Sequence, residues 1–292
     1  MIYVITGPTC LGKSETAVYL AKKLDAEIVN GDAFQCYKEL NIGVAKPSEE
    51  LLKEVNHHLY SFVEPTHNYS IAEYQINLRN KIDELLKKNK NVIIVGGSGL
   101  YIRSALYDYK FDEDKKVDMA KYLAMDNRSL HDELSKIDPV DAKKIHMNNR
   151  KRMLRAIEIY LSSGKSKSEI ISRQEHKPIY DVRFFVRDLD RVELYERINK
   201  RVDEMMERGL FSEVKDLYNR YPHSCHFFQA IGYKEFIPVI EGKTQLSEAV
   251  ELTKQHTRNY AKRQMTYIRH QFPVEFYENN EDLWRKINGK LS

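Results

Sequence analysis

One segment near the start of the chain leaves few options for its fold. Met1-Ile-Tyr-Val-Ile-Thr6 is a short β-branched apolar run, Gly7-Pro-Thr-Cys-Leu-Gly12-Lys13-Ser14 follows at once, and a helix-patterned stretch runs from Glu15 to Leu24. This is the G-x-x-x-x-G-K-[ST] phosphate loop in its required setting of strand, Gly-rich turn and helix N-terminus. Gly7 and Gly12 allow backbone conformations that a Cβ disfavours. Successive N–H groups then form a nest for an anion, reinforced by the positive end of the helix. Lys13 adds a mobile positive charge, and the Ser14 hydroxyl suits part of a Mg²⁺ site. Gly7, Pro8, Thr9, Cys10, Leu11, Gly12, Lys13 and Ser14 are therefore the candidate phosphate-binding residues. The alternative is a turn that binds nothing. The loop implies a phosphate-bearing ligand but does not say that it is a nucleotide.

The strand-first start predicts no signal peptide, and no apolar run approaches the ~18–20 residues of a membrane span. Cys10, Cys36 and Cys225 are the three cysteines and form no C-x-x-C pair, so a zinc site or disulfide framework is not expected. A soluble, cytoplasmic protein is the expectation. With 47 Lys and Arg against 43 Asp and Glu, the net charge is only +4. Where the charge sits matters more than its sum.

Glu27-Ile-Val-Asn30 reads as a second strand and Asn91-Val-Ile-Ile-Val95 as a third. The continuous Val/Ile content of the third suits a parallel strand covered on both faces. Between them Ile71, Tyr74, Leu78, Ile82 and Leu85 recur at helical spacing up to about Asn89. Strands alternating with helices predict an α/β fold, a doubly wound parallel sheet flanked by helices. Ligands of such sheets sit at the carboxyl ends of the strands, so Gly7–Ser14, Gly31–Tyr37 and Gly96–Tyr101 should converge. Residues 111–180 are charged and read as short helices (Lys115–Met125, Ser129–Ile137, Pro139–Ile145, Arg150–Leu161), an all-helical insertion. Val182–Val186 returns to strand. Helices are predicted over Val192–Arg208, Leu210–Tyr221, Gln229–Glu241 and Leu246–Arg269. The expected domains are 1–110 with 181–292 as the core and 111–180 as the insertion.

Asp32, directly after the second strand, reads as a general base or Mg²⁺ partner facing the phosphate loop, or equally as a turn or cap residue. Gln35 and Tyr37 suit a flat polar ligand, and Tyr37 suits packing as well. A plain phosphate-loop NTPase carries a metal-holding acid at the end of a later core strand. Here Gly96-Gly97-Ser98-Gly99 stands there instead, which argues against ATP hydrolysis. Ser98 offers a hydroxyl near the reacting centre, and the glycines leave room for a bulky ligand. Two windows hold bases and no acid: 142–157, with Lys143, Lys144, Arg150, Lys151, Arg152 and Arg155, and 252–272, with Lys254, Arg258, Lys262, Arg263 and Arg269. Arg258 and Lys262 share a helical face. Such windows suit a polyanion backbone, or are solvated faces. Arg201 reads as a lid arginine toward phosphate, or as half of an exposed ion pair with Asp203 or a nearby Glu. The ten histidines show no metal spacing.

Taken together, several segments resemble the tRNA dimethylallyltransferase family, whose members prenylate the adenosine at tRNA position 37. They are Gly7–Ser14, Asp32-Ala-Phe-Gln-Cys-Tyr-Lys38, Asn41-Ile-Gly-Val-Ala-Lys-Pro47, His57-His-Leu59, Tyr69–Gln75, Val95-Gly-Gly-Ser-Gly-Leu-Tyr101, Arg152–Glu158, Ala230-Ile-Gly-Tyr-Lys-Glu235 and Thr257–Gln264. The resemblance implies that the phosphate loop holds the pyrophosphate of dimethylallyl diphosphate rather than ATP, and that Mg²⁺ assists. It implies Asp32 as base, Ser98 at the reacting centre, and Lys13 and Arg201 on the leaving group. It implies tRNA contacts from Asp32, Ala33, Phe34, Gln35, Ser98, Lys151, Arg152, Arg155, Arg258, Lys262 and Arg263. A monomer whose insertion clamps the anticodon stem-loop is the expectation. The chain departs from the family pattern at Cys10-Leu11 (commonly Ala-Ser), Ala33 (usually Ser), Phe34 and Cys36 in the Asp32 block, Ser98 (usually Thr) and Asn149. A small-molecule or nucleotide kinase, or an RNA-binding protein with a relic phosphate loop, are the rivals.

Overall fold

The structure is a computed structural model that describes residues 1–111, 117–173 and 175–289. The chain divides into two compact units, Met1–Leu106 with Tyr180–Ser292, and Tyr107–Ile179. The first unit begins β1 (Ile2–Thr6), α1 (Lys13–Leu24), β2 (Ala26–Asn30), α2 (Glu49–Glu54), β3 (His57–His58), α3 (Ile71–Lys87), β4 (Asn91–Gly96) and α4 (Gly99–Leu106). The second unit contributes α5 (Ala120–Ala124), α6 (Asn127–Ile137), α7 (Pro139–Lys144), α8 (Arg150–Ser163) and α9 (Lys167–Ser172). The chain then returns through β5 (Val182–Arg187), α10 (Arg191–Glu207), α11 (Leu210–Arg220), α12 (Ile237–Ile240), α13 (Leu246–Gln271), β6 (Val274–Tyr277) and α14 (Asn280–Asn288).

The six strands form one sheet in the order β3-β2-β4-β1-β5-β6, with every neighbouring pair parallel. All of β1 is buried, as is β4 beyond Asn91, as two-sided coverage requires. The α/β, parallel-sheet expectation holds. Register decides where the site forms. Thr6 lies beside Gly96 and Val186, and Asn30 beside Val95, so β1, β2, β4 and β5 end level. The loops leaving these strands must then meet one another.

α3 shows why these residues choose a helix. Ser70 accepts from Glu73 N–H while Glu73 reaches back to Ser70 N–H, a complete capping box. Tyr74, Leu78, Ile82 and Leu85 form its buried stripe. Two edge strands, β3 and β6, give no clear signal in the sequence. The first is two residues long, and the second is a short, half-exposed run of four residues. The expected helix Gln229–Glu241 is absent. A 3₁₀ turn at His226–Gln229, turns, and the single turn α12 replace it. Gly232 adopts φ +92°, outside the helical region, and its N–H is held by the Glu235 carboxylate at 2.9 Å. No helix among the described residues is long and apolar enough to cross a membrane.

The second unit has its own core of Leu130, Leu134, Ala142, Ile145, Met153, Ala156 and Ile157. The expected start of its first helix, Lys115, lies outside the described residues; the described helix begins at Ala120. The short helix α9 adds to the four expected there. Arg150, part of a basic stretch in sequence, is structural: its guanidinium donates to the carbonyls of Met125 at 2.7 Å and Leu123 at 2.8 Å.

The level strand ends need glycine at one point. A Cβ on Gly96 would lie 2.1 Å from the Gly31 carbonyl carbon, backbone against backbone. Gly96→Ala is expected to cost about 2–3 kcal/mol of stability or to prevent folding. Gly209, at φ +95° with nothing within 4 Å of such a Cβ, should cost only about 1–2 kcal/mol as alanine. Urea titration of both variants checks the contrast, and equal losses would remove the steric explanation.

Candidate active site

The expected convergence is present: all three strand-end segments bound one cavity of about 940 Å³. From β1 come Thr9 to Glu15, from β2 Asp32, Phe34 and Gln35, and from β4 Gly96 and Gly97. Hydrogen bonds continue the sheet's order past its edge. Gly31 N–H donates to Val95 O at 2.7 Å, Ser98 N–H to Gly31 O at 3.2 Å, and Ala33 N–H to Ser98 Oγ at 3.0 Å. The loop after β2 is thereby stitched to the loop after β4.

The phosphate loop has the backbone its glycines foretold. Gly7 lies at φ +136° and Gly12 at φ +70°, and Cys10 also takes a left-handed φ of 67°. No side chain caps the N-terminus of α1, which leaves its first-turn N–H groups for another acceptor. Lys13 Nζ reaches across the loop to Pro8 O at 2.6 Å. Arg201, on α10, brings Nη1 to 3.9 Å from Cys10 Sγ. Asp203, its suggested ion-pair partner, is engaged by Lys254 at 2.8 Å instead. Among the described residues Arg201 pairs with no carboxylate, and it lines the cavity beside the phosphate loop.

Asp32 serves both as turn former and as cavity acid. Its Oδ1 accepts from Phe34 N–H at 3.0 Å, a turn-forming bond, and its carboxylate lines the cavity with Lys13. The buried Asn30 sets the turn, accepting from Asp32 N–H and donating to Asp32 O, both at 2.9 Å. Burial raises the Asp32 carboxyl above its ordinary value, against the pull of the Phe34 N–H and the Lys13 charge. Lys13 moves the other way, to about 8, because it is buried and because Arg201 repels it. A carboxylate made more basic and a cation made more acidic thus face one space.

Other expected residues fall less simply. Tyr37 is a packing residue, 1% exposed, whose hydroxyl accepts from Tyr69 N–H at 3.1 Å. Gln35 lines the cavity, but its Nε2 donates to Val44 O at 3.0 Å and Ala45 O at 3.1 Å, so its amide supports a neighbouring loop. Phe34 stacks on His226 with centroids 5.6 Å apart. The glycines after β4 also serve protein packing, while Gly97 lines the cavity. A Cβ on Gly97 would meet Gln264 at 2.2 Å, and one on Gly99 the Tyr267 ring at 2.5 Å. Helix α13 presses directly on that loop, and Gln264 Nε2 donates to Gly97 O at 2.9 Å.

The basic windows are acid-free only in sequence. Arg258 is half-buried and donates to Asn199 Oδ1 at 2.5 Å, and Lys254 meets both Asp203 and Glu251. Lys262 and Arg263 are exposed, and Arg263 lines the cavity. In the second unit, Lys151 and Arg152 are exposed on α8, and Arg155 pairs with Glu158 at 2.7 Å. Among the cavity residues to which sequence reasoning assigned no site role are Lys46, Tyr60 and Tyr260. Burial takes Lys46 down to about 8 and Tyr260 up to about 12, with the Asp32 charge adding to the latter. The Asn41–Pro47 segment signals Lys46 without assigning it a role; nothing in the sequence distinguishes the tyrosines from core.

No cluster of three or more His, Cys, Asp or Glu able to hold a metal occurs among the described residues. The Ser14 hydroxyl at the cavity wall suits one ligand of an ion bound chiefly through phosphate oxygens and water.

Residues 35–271 match the family model for IPP transferase. The chain belongs to the IPP transferase family. It is 42% identical to the tRNA dimethylallyltransferase of Anoxybacillus flavithermus, covering 99% of this chain and 94% of that protein. Among solved structures it resembles the tRNA delta(2)-isopentenylpyrophosphate transferase of Staphylococcus epidermidis at 36% identity and a TM-score of 0.74, covering 99% and 98% of the two chains. A eukaryotic dimethylallyltransferase acting on tRNA superposes with a TM-score of 0.82 at 28% identity, covering 99% of this chain and 77% of that one.

Lys13 is the loop's titrating cation. Burial and Arg201 draw its pKa down to about 8, so affinity for pyrophosphate is expected to fall as pH rises through about 8. Arg201→Ala removes a repulsive neighbour, so it should weaken binding overall yet move that fall to higher pH. Calorimetric titration between about pH 7 and 10 checks both, and a midpoint that moves down would exclude the repulsion.

Proposed function

We propose that this chain transfers the dimethylallyl group of dimethylallyl diphosphate to the exocyclic amine of adenosine at tRNA position 37, releasing pyrophosphate. The observation that carries the proposal is one cavity holding the Asp32 carboxylate, the Lys13–Arg201 cation pair and no acid at the end of β4. The first suits removal of a proton, the second suits a diphosphate leaving group, and the third is unlike a Mg-ATP site. The family relationship supports the same donor and acceptor.

The target adenine is unstacked and enters the cavity. Its amine nitrogen attacks the first carbon of the dimethylallyl group. The bond from that carbon to the bridging diphosphate oxygen breaks, and the electron pair leaves with pyrophosphate. Asp32 receives the proton given up by the amine. Negative charge grows on the leaving group, so the loop N–H groups, Lys13 and Arg201 stabilise the transition state more than the ground state. Mg²⁺, where bound, would share the diphosphate with Ser14 and add to that charge stabilisation. Ser98 holds Ala33, and with it the Asp32 turn, beside the reacting centre. Lys262 and Arg263 face the RNA backbone near the cavity, while Lys151 and Arg152 offer phosphate contacts on the insertion, which clamps the anticodon stem-loop. Arg258 and Arg155, each already hydrogen-bonded or ion-paired, contribute less.

The decisive assay combines purified protein, unmodified tRNA and labelled dimethylallyl diphosphate. Label in RNA with equimolar pyrophosphate is expected, and ATP should be neither donor nor hydrolysed. ADP release without tRNA would turn the assignment to a kinase. In the same assay Asp32→Asn is expected to lower the rate roughly 10²–10⁴-fold with tRNA affinity nearly unchanged. Near wild-type turnover would remove Asp32 from the base role.

Salt dependence tests the RNA path. Neutralising Lys262 and Arg263 should flatten the log-affinity against log-salt slope by about 0.7–0.9 for each RNA phosphate no longer neutralised, for all tRNAs alike. A wild-type slope in the double variant would mark that face as merely solvated.

A further inference from the structure

The segment Asn41–Lys46 forms one wall of the cavity, with Gly43, Val44, Ala45 and Lys46 lining it. It contains no regular element, yet it is held by a single carboxylate from far along the chain. Glu213, on α11, accepts from three consecutive backbone N–H groups: Asn41 at 3.2 Å, Ile42 at 2.8 Å and Gly43 at 3.0 Å. Tyr233 O–H donates to the same carboxylate at 2.7 Å. The fit is close enough to exclude a side chain at residue 43, where a Cβ would lie 2.4 Å from the Tyr233 ring. On its other side the segment receives Gln35 Nε2 at Val44 O and Ala45 O, and Gln35 is three residues from Asp32.

We propose that Glu213 is a positioning residue for the transfer reaction, fixing the cavity wall beside Asp32 without touching either substrate. The inference rests on the function proposed above. A carboxylate is the one side chain that accepts from three converging N–H donors and a phenol at once. An amide in its place turns an NH₂ group toward donors it cannot accept from. The 41–46 wall then loses its anchor, and with it Gln35 and the Asp32 turn lose a fixed neighbour. The phosphate loop stands on β1 and α1 and is not held by Glu213. Loss of Glu213 should therefore separate catalysis from diphosphate binding.

The test is Glu213→Gln in the full chain, with two readouts. Hydrogen exchange followed by mass spectrometry should show the 41–43 amides exchanging at least about tenfold faster, with β1, β2 and β4 unchanged. In the transfer assay kcat should fall about 10–100-fold, as small misplacements do, while KM for dimethylallyl diphosphate changes by less than about twofold. Unchanged exchange at 41–43, or faster exchange with unchanged kcat, overturns the proposal; so does a rise in KM for the diphosphate that matches the loss of rate. Should Glu213→Gln not fold, Tyr233→Phe decides. It removes one bond to the carboxylate and keeps the ring beneath Gly43, so exchange should quicken at 41–43 alone, and wild-type exchange there overturns the proposal. If wild-type protein transfers no dimethylallyl group, the functional reading fails, and the exchange readout still decides whether Glu213 anchors the wall.

Discussion

Positive charge gathered at the carboxyl edge of the sheet, with no carboxylate hydrogen-bonded to it among the described residues, is the constraint on which the remaining structure depends. Lys13 and Arg201 repel one another, and their observed hydrogen bonds go to a carbonyl and a thiol. Removing charges from water without pairing them opposes folding. The arrangement persists because what lies beneath is over-determined. Four level parallel strands, buried along β1 and most of β4, leave the loop after β1 little freedom to relax. The open first turn of α1 and the two cations are then stabilised by whatever anion enters. An anion that gains charge during reaction is stabilised most where donors are already fixed.

The glycines after β4 turn this edge into a site. Because Gly97 and Gly99 carry no side chain, Gln264 and Tyr267 bring α13 against the loop. The same helix carries Tyr260 and Arg263 into the cavity wall. A phosphate cradle built by β1 is thereby joined to a helix with exposed bases where Gly99 makes room for the Tyr267 ring, 2.5 Å from where a Cβ would stand. Two functions that look separate along the chain, holding a diphosphate and meeting a polyanion, share one steric requirement.

What could be read from residues alone was what local chemistry dictates. The phosphate loop, the central strands and α3 each announce themselves within about twenty residues through apolar period, capping and glycine placement. Asp32 was legible for the same reason, being fixed to the end of a recognisable strand. What escaped depends on partners remote in sequence. Arg258 looked free because Asn199 lies 59 positions away. Lys254 meets Asp203 on another helix, while its second partner, Glu251, stands just outside the acid-free window. Gln229–Glu241 carries apolar residues at helical spacing, and only the left-handed Gly232, fixed by Glu235, shows why it folds as turns. Glycines read as room for a ligand also make room for a helix, a second role that no spacing rule contains.

Asp32 and Lys13 also illuminate each other. Burial shifts both toward neutrality, and each charge opposes part of the other's shift. A diphosphate in the cradle alters both in directions set by its sign. Its negative charge favours the protonated lysine, and it disfavours the ionised carboxylate, making Asp32 a stronger base. In the proposed reaction the donor would therefore prepare the base that the acceptor needs. As the bond to carbon breaks in that reaction, the charge gained by pyrophosphate would be drawn to Lys13 and Arg201 while the proton would pass to Asp32. The two events reinforce each other, because a neutralised Asp32 no longer repels the departing anion. On the proposed mechanism, base and cradle facing one cavity would thus act as a coupled pair rather than as two separate aids to catalysis.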